Sequence, residues 1–260
     1  MTAHQELTER SARVAAAAKL LRHPGRKRAG RFLAEGPNLV QGALARGLAI
    51  EVFATAEAAE RHADLLTGGV PTHLVTARAA KALSETVTPA GVFAVCALPE
   101  LSIADLRAPR LVLVAVGLSE PGNAGTMIRT AHAMGADAVV LTGNSVDPYN
   151  GKCLRASAGS IFAVPVITEP DPAAVLGALR AAGATVLAAT LDGEQDLDDA
   201  DLSTPTAWVF GPEAHGLSTE LAALADHRVR ITMPGDSESL NVAAAAAICL
   251  YQSARAARRR

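Results

Sequence analysis

From Arg110 onward the chain alternates short, almost wholly apolar runs with segments of helical spacing. That alternation restricts its fold more than any other feature of the 260 residues. The runs are RLVLVAVG (110–117), DAVVLTG (137–143), FAVPVI (162–167), ATVLAATL (184–191), AWVFG (207–211) and RVRITM (228–233). Helices are expected between them, near 123–134, 149–158, 172–182, 216–224 and 239–257. A strand without alternating polar residues is buried on both faces, and such strands separated by helices form a parallel sheet covered on both sides. The predicted class is α/β.

Residues 7–98 read as a smaller alternating unit. A helix is expected over 7–22 and strands at 31–36, 50–55, 72–76 and 91–98. Further helices fall at 37–47, 56–66 and 77–85. PELSIADLRAP (99–109), bounded by Pro99 and Pro109, reads as a linker. The expected organisation is therefore 1–98, a linker over 99–109, and a larger domain over 110–260. Half the residues are hydrophobic but only 3% are aromatic, so the cores must be built from Ala, Val and Leu.

Charge separates the two parts, although the chain as a whole carries only −2. Residues 1–109 hold 13 Lys and Arg against 10 Asp and Glu, and residues 110–260 hold 11 against 16. RHPGRKRAGR (22–31) gathers Arg22, His23, Arg26, Lys27, Arg28 and Arg31. Such a cluster suits a phosphate backbone, or is a solvated loop. The terminal RAARRR reads as a frayed helix end whose cations suit the dipole. Cys96, Cys153 and Cys249 lack pair spacing, which fits packing residues in a reduced protein without structural zinc. No apolar run reaches membrane-spanning length. A cytoplasmic protein with no metal is expected.

Parallel sheets bind ligands at the C-terminal ends of their strands. Those ends here carry TLDGE (190–194), FGPEAHGLS (210–218) and ITMPGDSESLN (231–241). The first strand is followed by LSEPGNAG, which lacks the dinucleotide-binding glycine spacing, and there is no P-loop. The ligand site is thereby expected in the last third of the chain. Gly211, Pro212, Gly216 and Pro234 can offer bare backbone to a flat heterocycle there. In EPGNAGTMIRTAHAMGADAVVL (120–141), Asn123 is expected to cap a helix that Gly135 ends. Ala124, Met127, Ile128 and Ala131 form its buried stripe. Arg129 lies off that stripe, early in the helix, where the macrodipole disfavours a cation. Its side chain is expected to lean over Gly125, as though awaiting an anion.

Three segments, NAGTMIRTAHAMGADAVVL, FGPEAHGLS and MPGDSESLNVAAAAAICLYQ, resemble in order the three motifs of the SpoU (TrmH) family of RNA ribose 2′-O-methyltransferases. DPYNGKCLRASAGSIFAVPV (147–166) and RAGRFLAEGPNLVQGAL are also similar to family segments. The nearest subgroup is the two-domain rRNA enzymes, which include the thiostrepton-resistance methyltransferases of actinobacteria. The resemblance implies a parallel α/β domain with a deep trefoil knot, preceded by a small α/β RNA-binding domain of ribosomal-protein type. It also implies a homodimer, S-adenosylmethionine as cofactor, and RNA, 23S rRNA above all, as partner. A tRNA ribose methyltransferase and a non-catalytic RNA-binding assembly protein are the alternatives. The N-terminal module argues against the first, and the intact motif residues against the second.

Carried over by motif, Asn123, Arg129, Glu213, Ser239 and Asn241 are the implied catalytic residues. Thr190, Leu191, Gly211, Gly216, Ile231, Met233, Leu240 and Asn241 are the implied cofactor contacts. Arg26, Lys27, Arg28, Arg31, Lys152 and Arg155 are the implied RNA contacts. Ala214 stands where the family usually has Gly, and Ala243 where it usually has Ser. Two local roles stay open on the residues themselves. Glu213 suits the first turn of the following helix, and Ser239 suits the cap of LNVAAAAAICL.

Overall fold

The computed structural model describes residues 6–67 and 69–258, so Arg259 and Arg260 of the basic tail lie outside the described residues. The chain divides into two compact units, residues 1–100 with 149–162, and residues 101–148 with 163–260. The boundary between Glu100 and Leu101 falls inside the expected linker.

In the first unit α1 (Ala12–Ala18) runs through a 3-10 turn (Lys19–Leu21) into α2 (His23–Ala29). Then follow β1 (Arg31–Glu35), α3 (Pro37–Ala45), β2 (Ala49–Ala54), α4 (Ala56–Arg61), β3 (Thr72–Leu74), α5 (Ala77–Ala82) and β4 (Val92–Ala97). The sheet order is β1-β4-β2-β3. β4 is antiparallel to both neighbours, and β2 and β3 are parallel. Most of the basic cluster, His23, Arg26, Lys27 and Arg28, lies in α2 rather than in a loop, with Arg22 at its N-cap and Arg31 in β1. Pro24 starts this helix, and it packs so closely on the preceding turn that a Cβ on Gly25 would stand 2.0 Å from the Lys19 carbonyl oxygen.

The second unit contains β5 (Leu111–Val116), α6 (Pro121–Ala133) and β6 (Ala138–Thr142). The chain then lends α7 (Gly151–Ser157) to the first unit. It continues with β7 (Val166–Glu169), α8 (Pro172–Ala181), β8 (Thr185–Ala189), β9 (Gln195–Asp196), β10 (Thr206–Phe210), α9 (Thr219–Ala222), β11 (His227–Arg230) and α10 (Val242–Ala257). Seven strands form one sheet in the order β7-β6-β5-β10-β8-β11-β9, with every pairing parallel. Side chains alternate across it. Val112, Val114 and Val116 pack with Val175, Leu176 and Leu179 of α8 on one face. On the other, the indole N–H of Trp208 donates to Ser253 Oγ of α10 at 2.8 Å, with both groups buried.

Two expectations are corrected here. The run FAVPVI is not a strand from 162. Phe162 ends a 3-10 turn and β7 begins only at Val166, after Pro165, which has no N–H for a ladder. Segment 149–162 packs with the first unit rather than with the domain that contains it in sequence. Tyr149 and Phe162 lie 4.8 Å and 6.2 Å from Phe32 of β1, ring centre to ring centre. A Cβ on Gly42 of α3 would come within 2.7 Å of the Phe162 ring.

The outer end of the large sheet decides where a ligand can bind. β8 and β9 lie on opposite sides of β11, and both meet it at Val229, through Ala189 and Gln195. Residues 190–194 therefore cross β11 from one side to the other. A Cβ on Gly193 would stand 2.6 Å from the Arg230 nitrogen and from the Val229 carbonyl carbon, so the crossing is as close as two backbones allow.

Candidate active site

The loops that follow β8, β10 and β11, with the start of α10, surround a cavity of about 620 Å3. All eight residues expected at the cofactor line it: Thr190, Leu191, Gly211, Gly216, Ile231, Met233, Leu240 and Asn241. Gly211 follows β10, where loop 211–217 turns back on itself. A Cβ there would lie 2.3 Å from Gly216 C and Leu217 N, so a side chain is excluded. Leu191 and Leu240 turn apolar surface outward, at 67% and 39% exposure. Thr190 Oγ1 is buried without a partner, although its backbone N–H donates to Val229 O at 3.0 Å. A buried hydroxyl left unpaired is costly and calls for a partner.

Beside the cavity one hydrogen-bonded chain joins the three motifs. Asn241 is the N-cap of α10, its Oδ1 accepting from Ala243 N at 2.9 Å and Ala244 N at 3.3 Å. Its Nδ2 is thereby left to donate to Asn123 Oδ1 at 3.1 Å, and Asn123 Nδ2 donates to Glu213 Oε1 at 3.0 Å. Each amide has one assignment that satisfies both ends. Glu213 also accepts from Glu120 N at 3.2 Å and from Ser119 N and Oγ at 3.4 and 3.3 Å. Burial alone would raise the Glu213 pKa. The hydrogen bonds from Asn123, from its own backbone amide and from the Ser119 and Glu120 amides outweigh it and hold the carboxyl below the usual range. Glu213 is a fixed carboxylate that ties loop 211–217 to the start of α6.

Local expectations change accordingly. Asn123 does not cap α6: Glu120 does, accepting from Gly122 N at 3.1 Å, and Pro121 opens the helix. Because the helix starts earlier, Arg129 is ninth of its 13 residues and is not at the dipole's positive end. Gly125 is buried with Ala124, Met127, Ile128 and Ala131, so it is no open patch beneath Arg129. Arg129 itself is exposed on α6 and is not among the residues that line the cavity. Ser239 lines the cavity but caps nothing, since Asn241 has that task; its carbonyl accepts from Ser237 Oγ at 2.9 Å. Helix α9 is capped by Ser218, not by Glu213. Ala214 lies on the cavity wall, and Ala243 is 4% exposed, where a serine hydroxyl would need a buried partner.

Of the expected RNA contacts, Lys27, Arg28, Arg31, Lys152 and Arg155 are exposed in the first unit. Arg155 Nη1 lies 3.9 Å from Glu35 Oε2. Arg26 is corrected. It is 4% exposed, and its Nη1 donates to Leu20 O at 2.9 Å and Leu21 O at 3.0 Å, closing the end of the preceding turn. Cys96, Cys153 and Cys249 are free and buried, and burial pushes the Cys96 and Cys249 thiols up to about 12. Among the described residues no three His, Cys, Asp or Glu stand where they could hold a metal ion. No helix there is long and apolar enough to cross a membrane.

The sequence reading does not single out Asp192 and Arg228, which also line the cavity. The available signal is an alternation of opposite charge, with Asp192, Glu194 and Asp196 in one loop and Arg228 and Arg230 on the strand it crosses.

Comparison with known proteins places this geometry. Residues 110–251 match the SpoU rRNA Methylase family, and residues 11–94 match the MRM3-like substrate binding domain. The chain is 37% identical over 220 residues, 85% of its length and 87% of the relative's, to the 23S rRNA (guanosine(2553)-2′-O)-methyltransferase RlmP of Bacillus subtilis. It is similar in structure to an AdoMet-bound rRNA methyltransferase from Sinorhizobium meliloti, with a TM-score of 0.86, 29% identity and coverage of 96% and 97% of the two chains. The SpoU methyltransferase AviRb from Streptomyces viridochromogenes, solved in complex with AdoMet, gives a TM-score of 0.83, 30% identity and coverage of 95% and 98%. Residues of the second and third motifs line one cavity, Asn123 of the first borders it, and the family match spans more than half the chain: this protein belongs to the SpoU rRNA methylase family.

Proposed function

We propose that the chain transfers the methyl group of S-adenosylmethionine to a ribose 2′-hydroxyl of 23S ribosomal RNA, acting as a cytoplasmic homodimer. The observation that carries this reading is the meeting of eight expected cofactor residues in one cavity, bordered by the Asn241–Asn123–Glu213 chain. The cavity fits the methyl donor. Leu191, Ile231, Met233 and Leu240 suit a heterocycle, Gly211 keeps the backbone bare, and Thr190 Oγ1 is a buried hydroxyl without a partner. The close passage of residues 190–194 across β11 at Gly193 is the observation in favour of the trefoil knot expected of the family.

When bound, the sulfonium supplies an electrophilic methyl group. Glu213 and the two asparagines hold loop 211–217, the start of α6 and the start of α10 in one arrangement. The part given to Arg129 is to grip the phosphate next to the target ribose and to stabilise the alkoxide left as the 2′-hydroxyl yields its proton to solvent water. A guanidinium stays protonated in proteins and is a poor base. At 1.5 Å per residue, Arg129 lies roughly 9 Å along α6 from Asn123, which favours a site shared by two copies. Ala244, Ile248 and Tyr251 form an exposed stripe along α10 that suits the same contact. The N-terminal unit favours ribosomal over transfer RNA, and its exposed Lys27, Arg28, Arg31, Lys152 and Arg155 supply the basic surface.

The test is to map 2′-O-methyl groups on RNA from cells with and without the gene, and on 23S RNA treated with purified enzyme. One added methyl on 23S RNA is expected. A methyl found on tRNA alone would replace the substrate, and no methyl on any RNA would overturn the reading.

A further inference from the structure

The loop that crosses β11 is fastened to it by charge. Arg228 and Arg230 stand two residues apart on β11 and so share a face, Thr232 follows the strand, and residues 192–196 bond to all three. Arg228 Nε lies 2.9 Å from Glu194 Oε2, and its Nη1 donates to Asp192 Oδ2 at 3.1 Å. The Arg228 backbone N–H donates to Glu194 Oε1 at 3.0 Å. Arg230 Nη1 donates to Gly193 O at 2.8 Å, its Nε lies 3.7 Å from Asp196 Oδ2, and Thr232 Oγ1 donates to the same Asp196 oxygen.

Backbone pairing cannot do this work. Thr190 N bonds to Val229 O, and ladder pairing resumes at Gln195 on the far side of β11. Between those points side chains carry most of the attachment. This same stretch holds the cavity wall: Thr190, Leu191, Asp192 and Arg228 all line it. Arg228 is already committed to two carboxylates. We infer that Arg228 is a positioning residue for the cofactor, which acts by clamping Asp192 and Glu194 so that Thr190 and Leu191 form a ready-made wall. The inference rests on the cavity being the S-adenosylmethionine site. A wall ordered before binding spares the ligand the cost of ordering it.

Calorimetric titration of the full-length protein with S-adenosylmethionine tests this. Arg228→Gln should weaken binding about three- to tenfold, the size expected for a few side chains ordered on binding. The double variant Asp192→Asn, Glu194→Gln should do the same, and Arg228→Lys should recover part of the loss. Single-turnover transfer measured against cofactor concentration should need about three to ten times more S-adenosylmethionine to reach half its maximum, in step with the lost affinity. Without cofactor, amide exchange at 191–194 should quicken in Arg228→Gln while β10 stays protected. If Arg228→Gln does not fold, the double variant decides, since it keeps the arginine. Wild-type affinity in the double variant would overturn the clamp and make Arg228 a direct ligand contact. A wild-type protein that binds no S-adenosylmethionine would overturn the cavity reading itself, a result distinct from a clamp that fails in the variants alone.

Discussion

The two units place their chemistry differently. In the second, all seven strands run parallel, so their C-terminal ends meet on one side and the loops there surround about 620 Å3. In the first, β4 runs against both neighbours, strand ends are divided between two edges, and a cavity of about 10 Å3 lies beside Glu35 and Leu154. That is room for about one water. The first unit has exposed cations, and the second has a wide cavity that opens to solvent. Sheet direction separates a unit whose cations lie on its surface from one whose loops open a cavity.

Arg129→Ala gives the largest expected effect and probes the reacting side. It should lower single-turnover methyl transfer by at least ~100-fold, the usual loss for one positioned charge stabiliser. Cofactor binding should persist, since Arg129 does not line the cavity. Lysine should restore little, because the planar fork is lost. Near-wild-type turnover in the alanine variant would move the chemistry off α6.

Replacing Lys27, Arg28, Arg31 and Lys152 together with Ala tests the gripping side. RNA affinity should fall at least about tenfold, and the slope of log affinity against log salt should flatten by about 0.7–0.9 per lost phosphate contact. S-adenosylmethionine affinity should not change. An unaltered salt slope would reduce the basic surface to solvated charge.

Arg26 sharpens the same contrast from within the cluster. Arg26→Ala should cost about 2 kcal/mol of stability, because the buried carbonyl of Leu20 and the partly buried one of Leu21 lose a charged donor. The salt slope of RNA binding should be preserved in the folded variant. Denaturant melts and salt titrations on one preparation separate the two outcomes, and a flattened slope without destabilisation would return Arg26 to the RNA surface.

Acid should produce the smallest effect. Glu213 has its pKa held below the ordinary 4.5, so its contribution to stability is complete above about 4.5 and is lost as pH falls through the lowered value. Melting temperature should drop with pH in that window, and Glu213→Gln should reduce the slope. Equal slopes in both proteins would mean that the Asn123 and amide contacts do not favour the charged form.

Several elements were legible in the residues because short-range rules govern them. The apolar runs at 111–116, 138–142, 185–189 and 206–210 form strands as their patterns require. The eight residues that the family resemblance implies at the cofactor are among those that line the cavity. Helix starts were less legible. Asn123 and Ser239 have the right chemistry for caps, yet Glu120 and Asn241 cap α6 and α10. Several adjacent polar residues can serve a helix end, and tertiary partners choose among them. Once Glu213 and Asn241 are brought near it, Asn123 makes more bonds as a link than as a cap.

What the sequence by itself determined was the class of fold, the charge difference between the two parts and the chemical types available at each strand end. Those follow from periodicity and composition, which act within a few residues. Only the tertiary structure decided that 149–162 packs with the first unit, that Arg26 is buried while its neighbours are not, and that Arg228 is committed to Asp192 and Glu194. Each depends on which distant segments meet. Phe32 finds Tyr149 and Phe162, and a loop leaves β8 to cross a strand laid down more than thirty residues later. Contacts of that range are selected by the packing of the whole chain, and no local pattern encodes them.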